Sequence, residues 1–442
     1  MGKTELIRQA FAKERMIVLE GLENQGKPKQ IRSFLAQLVS QSGRKTAKRP
    51  AITDWSGALD ELVQVVRAQR AVVLFDEFQW MANYRSDLVA ALKMVWDQHL
   101  SRAGKVTLVL CGSIASFMEK KVIRSKALYG RTTLCIHLKP FRLNESAKLL
   151  QGRGSEEVLL AQLLAGGIPQ YLKLLGDQES ILAGMERLAF TETGYFAGEY
   201  NRIFVSHFGS TSKYDDVLNA LADKPMGQSR QEIAEKAGAT GGGELSRVLY
   251  NLESAGFITS YIPFDKRSNS RLLRYVITDP FLRFYFSFLR PHRARRSLAN
   301  RSFVEHIVPS AGFRNWLGRG FELLCLEHAR EIAALLGFSA VQYRAGPYFR
   351  HSRGGRLAGV QIDLVFDRAD KVVTLCEMKY REAPVGVETA REMREKLEKV
   401  PWIEDRTVQK VLITKSEPTQ DLVRSGYFSR ILLARELIRA SL

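Results

Sequence analysis

Gly2, Lys3 and Thr4 are the last three positions of a GxxxxGK[ST] phosphate-binding loop. In such a loop glycine lets the backbone wrap a phosphate, lysine reaches the β and γ phosphates, and threonine ligates Mg²⁺. The segment that follows, ELIRQAFAK, has helical spacing, as the motif requires. Further on, the apolar run AVVLFDE ends in Asp76 and Glu77. There Asp76 would hold the water shell of the ion and Glu77 would polarise an attacking water. A third apolar run, VTLVLCGS, ends in Ser113, where a polar side chain can sense the γ-phosphate. A second constellation lies near the other end of the chain. VQIDLVF carries Asp363, and VVTLCEMKY carries Glu377 and Lys379, which share one face of a strand. The short turn DRADK joins the two runs, so Asp363 can neighbour that face. Two carboxylates that hold Mg²⁺ beside a lysine that positions water are the equipment for in-line attack on a phosphodiester. The structural alternatives stay open at this point: GKT arises by chance, a carboxylate pair can be the solvated tip of a strand, and ExK is common.

These residues need elements to hold them. Up to about residue 140, short apolar runs (MIVLEG, AVVLFDE, VTLVLCGS, TLCIHL) alternate with helical patterns, which predicts a parallel sheet covered on both faces. Residues 143–205 read as helices, a lid on the first domain, broken at GGIPQYL. From about 212 to 290 the pattern is three short helices and a hairpin, the order of a winged helix-turn-helix. Its third helix carries Arg247, and its wing carries Lys266, Arg267 and Arg271. Side chains of this kind meet DNA phosphates, although winged helices also serve as lids or protein contacts. The stretch RPHRARRSLANR, with Arg293, Arg295 and Arg296, reads as a basic linker. The last part opens with a helix from Asn315 to Phe338 and continues through strands at AVQYRAG, VQIDLVF, VVTLCEMKY and VQKVLIT. Strict alternation puts Val360, Ile362, Leu364 and Phe366 on one face of VQIDLVF and Gln361 and Asp363 on the other. Glu322 falls on the apolar stripe of the preceding helix, in step with Cys325, Leu326 and Ala329.

Taken in order, GKTELI, LFDEFQWM, LVLCGS, LYGR at Leu128–Arg131, HLKPF and GGIPQYL resemble a prokaryotic family of AAA-type ATPases. That family is related to the STAND signalling NTPases and carries a C-terminal nuclease-like domain; D…ExK is the core of the PD-(D/E)XK nucleases. The resemblance implies an α/β chain with a P-loop NTPase domain and helical lid over 1–210. A winged helix over 211–290, a basic linker over 291–311 and a restriction-endonuclease-like α/β domain over 312–442 would follow. It implies ATP and Mg²⁺ as cofactors and hydrolysis of ATP, with Ser113 as sensor. It makes Arg131 an arginine finger acting in a neighbouring subunit of a homo-oligomer, and Glu322 an extra acidic residue at the nuclease metal site. Members of the family begin with a strand and a first glycine ahead of GKT, so the natural protein is expected to start upstream of Met1. The competing reading is a nucleotide-switched, DNA-binding regulatory protein whose nuclease fold does not turn over.

Composition narrows the setting. A chain of 442 residues predicts about three domains. The net charge of +19 suggests a polyanionic partner, and DNA is the expected one. The N-terminal residues are charged and carry no apolar signal core, and FLRFYFSFL is cut by Arg283, so no membrane association is expected. Four scattered cysteines without a CxxC pair fit a reducing cytoplasm and argue against a zinc site.

Overall fold

The computed structural model describes residues 2–43, 52–67, 70–83, 86–101, 106–113, 115–208, 212–224, 227–238, 242–262, 264, 273–294, 302–350 and 359–440. The chain forms two compact units, Met1–Lys139 and Pro140–Leu442.

The first unit is built on three parallel strands in the order β1 (Met16–Glu20), β2 (Ala71–Asp76) and β3 (Val106–Leu110). β2 lies between the others and every one of its residues is buried, which is why AVVLFD is a nearly continuous apolar run. The helices Lys27–Ser42, Trp55–Val66 and Leu88–Val95 supply the covering faces. Asp54 caps the second of these by accepting from the Gly57 amide at 2.9 Å. Phe34, Trp55, Phe75 and Phe78 form an aromatic cluster with ring centroids 5.5–6.0 Å apart. Each fully buried ring contributes about 1.5–3 kcal/mol, so this cluster fixes the end of β2 where the acidic pair sits.

TLCIHL does not join the sheet as expected. Among the described residues it pairs with no strand, and Leu134 and Ile136 are 73% and 60% exposed. A parallel strand is satisfied only by a hydrogen-bonded neighbour, and this segment has none there.

In the second unit the helices Leu143–Leu149, Ser155–Ala165, Pro169–Gly176 and Ile181–Ala189 share one core with the helices and strands that follow. These helices lie within the compact unit Pro140–Leu442. Ser212–Ala222, β4 (Gln228–Ser229), Arg230–Lys236, Gly242–Ser254, β5 (Ile258–Tyr261) and β6 (Arg274–Ile277) follow, with an antiparallel sheet in the order β4-β6-β5. Ser229 and Glu232 make a reciprocal capping box at the start of Arg230–Lys236. The described part of the basic stretch is a helical turn, Arg290–Ala294, rather than an open linker. Arg290 reaches Asn219 and Asp215, and Arg293 donates to the Ala197 carbonyl.

The C-terminal part packs the helices Ala311–Glu327 and Ala329–Leu335 against a five-stranded mixed sheet. The single helix expected there breaks at His328, whose buried ring lies against the Leu324 carbonyl, 2.8 Å away. The sheet order is β11 (Arg430–Leu433), β10 (Thr407–Thr414), β9 (Val372–Lys379), β8 (Val360–Arg368), β7 (Tyr343–Arg350). β8 departs from strict alternation. Its pairing with β7 shifts register between Gly346 and Tyr348, at Pro347, which has no N–H to give to the ladder. As a result Ile362 and Val365 lie in one core, while Leu364 and Phe366 lie in the other. Asp363 sits inside this bulge, and bulges re-aim the side chains they contain.

Candidate functional site

In the first unit Gly2 takes a left-handed conformation (φ 73°) and starts the helix Lys3–Ala10. The amides of that first turn have no partners within the helix. Thr4 Oγ1 donates to Asp76 Oδ2 at 2.5 Å, so two motif residues 72 positions apart meet at the helix start. The other oxygen, Asp76 Oδ1, accepts from the Glu77 amide at 3.0 Å. Glu77 is itself left-handed (φ 46°), a conformation that costs a non-glycine residue on the order of 1 kcal/mol. That twist turns its side chain off the end of β2 toward β3. There Glu77 Oε2 accepts from Ser113 Oγ at 2.8 Å and from Gln79 Nε2. Gln79 closes the ring: its Nε2 meets Ser113 Oγ at 2.9 Å and its Oε1 accepts from the Ser113 amide at 3.3 Å. The sequence reading missed Gln79. The only signal was its position two residues after Glu77, inside LFDEFQWM. Gly112 makes room for it, since a Cβ there would lie 2.6 Å from Met118 Sδ and 2.8 Å from Gln79 Oε1. Cys111, beside this ring, has its thiol pushed up to about 12, by burial first and by Asp76 second. It is therefore a neutral packing residue.

The residues fit a nucleotide-bound magnesium ion: a hydroxyl and a carboxylate in contact, at a helix N-terminus, with Lys3 on the same first turn. Arg131 is held within its own unit. Its Nε and Nη2 each meet Asp97 at 2.7 Å, and Nη1 donates to the Tyr129 carbonyl at 3.0 Å. The pair lowers the Asp97 carboxyl and raises the Arg131 guanidinium.

The second constellation gathers on β8, β9 and the helix Ala311–Glu327. Asp363 is buried; its Oδ2 accepts from the Met378 amide at 2.9 Å and its Oδ1 from Gln361 Nε2 at 3.3 Å. Burial pushes the Asp363 carboxyl up to about 8, with Glu377 and Glu322 adding to the rise. Glu322 is raised as well, again by burial first; Glu377 adds to that, while Arg319, Lys396 and Lys379 oppose it. Glu322, Asp363, Glu377 and Lys379 are thus one electrostatic cluster. Glu377 is 2% exposed, and both its oxygens accept from Lys396 Nζ, at 2.7 and 2.6 Å. Lys379 Nζ lies 3.1 Å from Glu377 and donates to Glu392 at 2.8 Å. Lys396, from the helix Glu388–Leu397, is a site residue the sequence did not reveal, because nothing in REMREKLEKV separates it from Lys399 or the arginines beside it. Among the described residues no three His, Cys, Asp or Glu side chains converge as a metal-holding group. A divalent cation would have to take Glu377 from Lys396 and pair it with Asp363.

Of the residues read as DNA contacts, Arg247 is exposed on the helix Gly242–Ser254, 3.7 Å from Glu244, and Arg293 is engaged at the Ala197 carbonyl. Lys266, Arg267, Arg271, Arg295 and Arg296 lie outside the described residues. Among the described residues no helix is long and apolar enough to cross a membrane.

Residues 1–175 match a family described as an ATPase domain predominantly from Archaea. The uncharacterized protein MJECL04 of Methanocaldococcus jannaschii is 23% identical over 316 residues, which span 70% of this chain and 68% of that protein. Among solved structures, the Walker-type ATPase paby2304 of Pyrococcus abyssi is 19% identical with a TM-score of 0.48, over 64% of this chain and 87% of the other. The ORC2 protein of Aeropyrum pernix, in ADPNP and ADP complexes, is 15% identical with a TM-score of 0.38, over 66% and 85%.

Proposed function

We propose that the chain binds and hydrolyses ATP in its first unit and that its second unit is a DNA-binding, Mg²⁺-dependent nuclease-like module. The observation that carries the first half is the Thr4–Asp76 contact at 2.5 Å, with Glu77, Gln79 and Ser113 linked beside it. The match of residues 1–175 to an ATPase-domain family supports the same reading. Thr4 and Asp76 would hold the magnesium ion, Asp76 through its water shell, and Lys3 would meet the terminal phosphates. Bound MgATP supplies the scissile phosphoanhydride, and the ion draws charge from it. The chain's own residues do the rest. Glu77, fixed by Ser113 and Gln79, orients a water and receives its proton. Ser113 and Gln79 keep that carboxylate in one rotamer, so little reorganisation is needed during the step. Arg131 becomes available to a neighbouring subunit only if it leaves Asp97.

The second half rests on the cluster of Glu322, Asp363, Glu377 and Lys379. Carboxylates held close enough to raise one another are neutralised by a shared cation. The order of helices and strands from Ser212 to Ile277 supports a winged helix, and the charge of +19 supports a nucleic-acid partner. The regulatory reading, in which this fold binds without turnover, is favoured by one feature: Lys396 already neutralises Glu377. The test is Mg²⁺-dependent cleavage of a panel of supercoiled, linear and single-stranded DNA, with and without ATP. Cleavage that is lost in Asp363→Ala supports the enzyme; binding without cleavage under every condition supports the regulator.

A further inference from the structure

Asp363 and Glu322 line a partly open cavity. Its volume is about 440 Å³, and its walls include Tyr261, Arg283, Trp316 and Arg319. One wall is the β5–β6 sheet, and another is the helix Ala311–Glu327. Such a volume falls in the range of small-molecule sites, roughly 300–1,000 Å³. That volume suits a single nucleotide rather than a length of duplex.

Arg283 is the unusual member. It interrupts the apolar run FLRFYFSFL, and its guanidinium lies 4.9 Å over the Trp316 ring. Its Nη2 is buried and, among the described residues, has no hydrogen-bond acceptor. A buried guanidinium nitrogen without an acceptor costs on the order of 1–3 kcal/mol, which an anion entering the cavity would relieve. Burial pushes this guanidinium down to about 10, while Glu327, Asp279 and Glu322 pull it back up. The floor beneath it is Gly320, where a Cβ would collide with Nη2. Arg319, the neighbouring residue on that helix, is a second guanidinium at the same cavity.

We infer that this cavity binds the phosphate-bearing terminal nucleotide of a DNA strand, with Arg283 and Arg319 on the phosphate and the Asp363–Glu322 carboxylates beside it. The inference rests on the nuclease-like reading and narrows its substrate class to strand ends rather than duplex interiors. Trp316 holds the Arg283 guanidinium in place, and Tyr261 supplies a planar wall for a sugar or base. The shared chemistry, a nucleotide 5′-phosphate, could also come from a free mononucleotide.

The experiment is calorimetric titration of the full chain, with Mn²⁺ present, using four probes. These are thymidine 5′-monophosphate, thymidine, a short oligothymidylate bearing a 5′-phosphate, and the same oligomer without it. The phosphorylated oligomer should bind at least tenfold more tightly than its unphosphorylated counterpart. That preference should disappear in Arg283→Met and in Gly320→Ala, which displaces the guanidinium while favouring the helix. Thymidine should not bind. If only the monophosphate shows the Arg283-dependent gain, the site is one for free nucleotides and the strand-end assignment is overturned. If neither variant changes any affinity, the cavity is not a phosphate site. Cleavage plays no part in this readout. An Arg283-dependent preference without Mn²⁺-dependent cleavage of the phosphorylated oligomer defeats the nuclease reading alone, and nicking of a closed plasmid without that preference defeats this inference alone.

Discussion

Replacing Asp363 with Asn should stabilise the protein at neutral pH. The carboxyl is buried between Glu377 and Glu322, and its folded-state value stands near 8 against 3.8 when solvated. The folded chain therefore holds a proton on Asp363 that the unfolded chain has released. Stability attributable to this site is full below about pH 4 and falls as pH rises toward 8. At about 1.4 kcal/mol per unit, the loss by pH 7 is on the order of 4 kcal/mol. Asn keeps the acceptor for the Met378 amide and carries no charge, so Asp363→Asn should recover about 2–4 kcal/mol at pH 7. Near pH 4 the two proteins should be equal. Urea unfolding followed at pH 4.5 and pH 7.5 measures this, with saturating Mn²⁺ as a further arm. The metal should raise the midpoint of the wild type and leave the variant unmoved, because binding stabilises only a chain that holds the ligand. A variant less stable than wild type at pH 7.5, or a difference that does not change with pH, would refute the electrostatic reasoning.

Gln79→Ala removes the amide that ties Glu77 to Ser113 and should lower ATP turnover roughly ten- to a hundredfold while leaving nucleotide affinity within a factor of two; phosphate release and a fluorescent-nucleotide titration separate the two. Gly112→Ala drives a Cβ into Met118 and Gln79, so it should cost about 1–3 kcal/mol in thermal unfolding and produce the same turnover defect. Lys396→Met leaves Glu377 with Lys379 as its cation and should raise Mn²⁺ affinity about tenfold by calorimetry; unchanged affinity would show that Lys396 does not compete for the metal position.

Much of the fold was legible because each strand had a distinct pattern. AVVLFD is apolar up to its last residue, Asp76, and proves to be the buried middle strand; VVTLCEMK also lies between two neighbours. Asp76, Glu77 and Ser113, placed at strand ends by the sequence, come together because the ends of neighbouring parallel strands meet at one edge. What escaped was set by tertiary structure. TLCIHL has strand composition, but a strand exists only where a partner's backbone meets it. The β8 alternation failed at Asp363 because a proline on the neighbouring strand skips a ladder position. Gln79 and Lys396 belong to ordinary helical sequence, and only the fold brings them to carboxylates distant or awkward in the chain.

The most direct test of the central claim is steady-state ATP hydrolysis by the protein, measured beside Lys3→Ala and Glu77→Gln. The account predicts Mg²⁺-dependent phosphate release by the wild type, none by Lys3→Ala together with lost nucleotide binding, and none by Glu77→Gln with binding retained. Hydrolysis that persists undiminished in Glu77→Gln, or in Lys3→Ala, would contradict it.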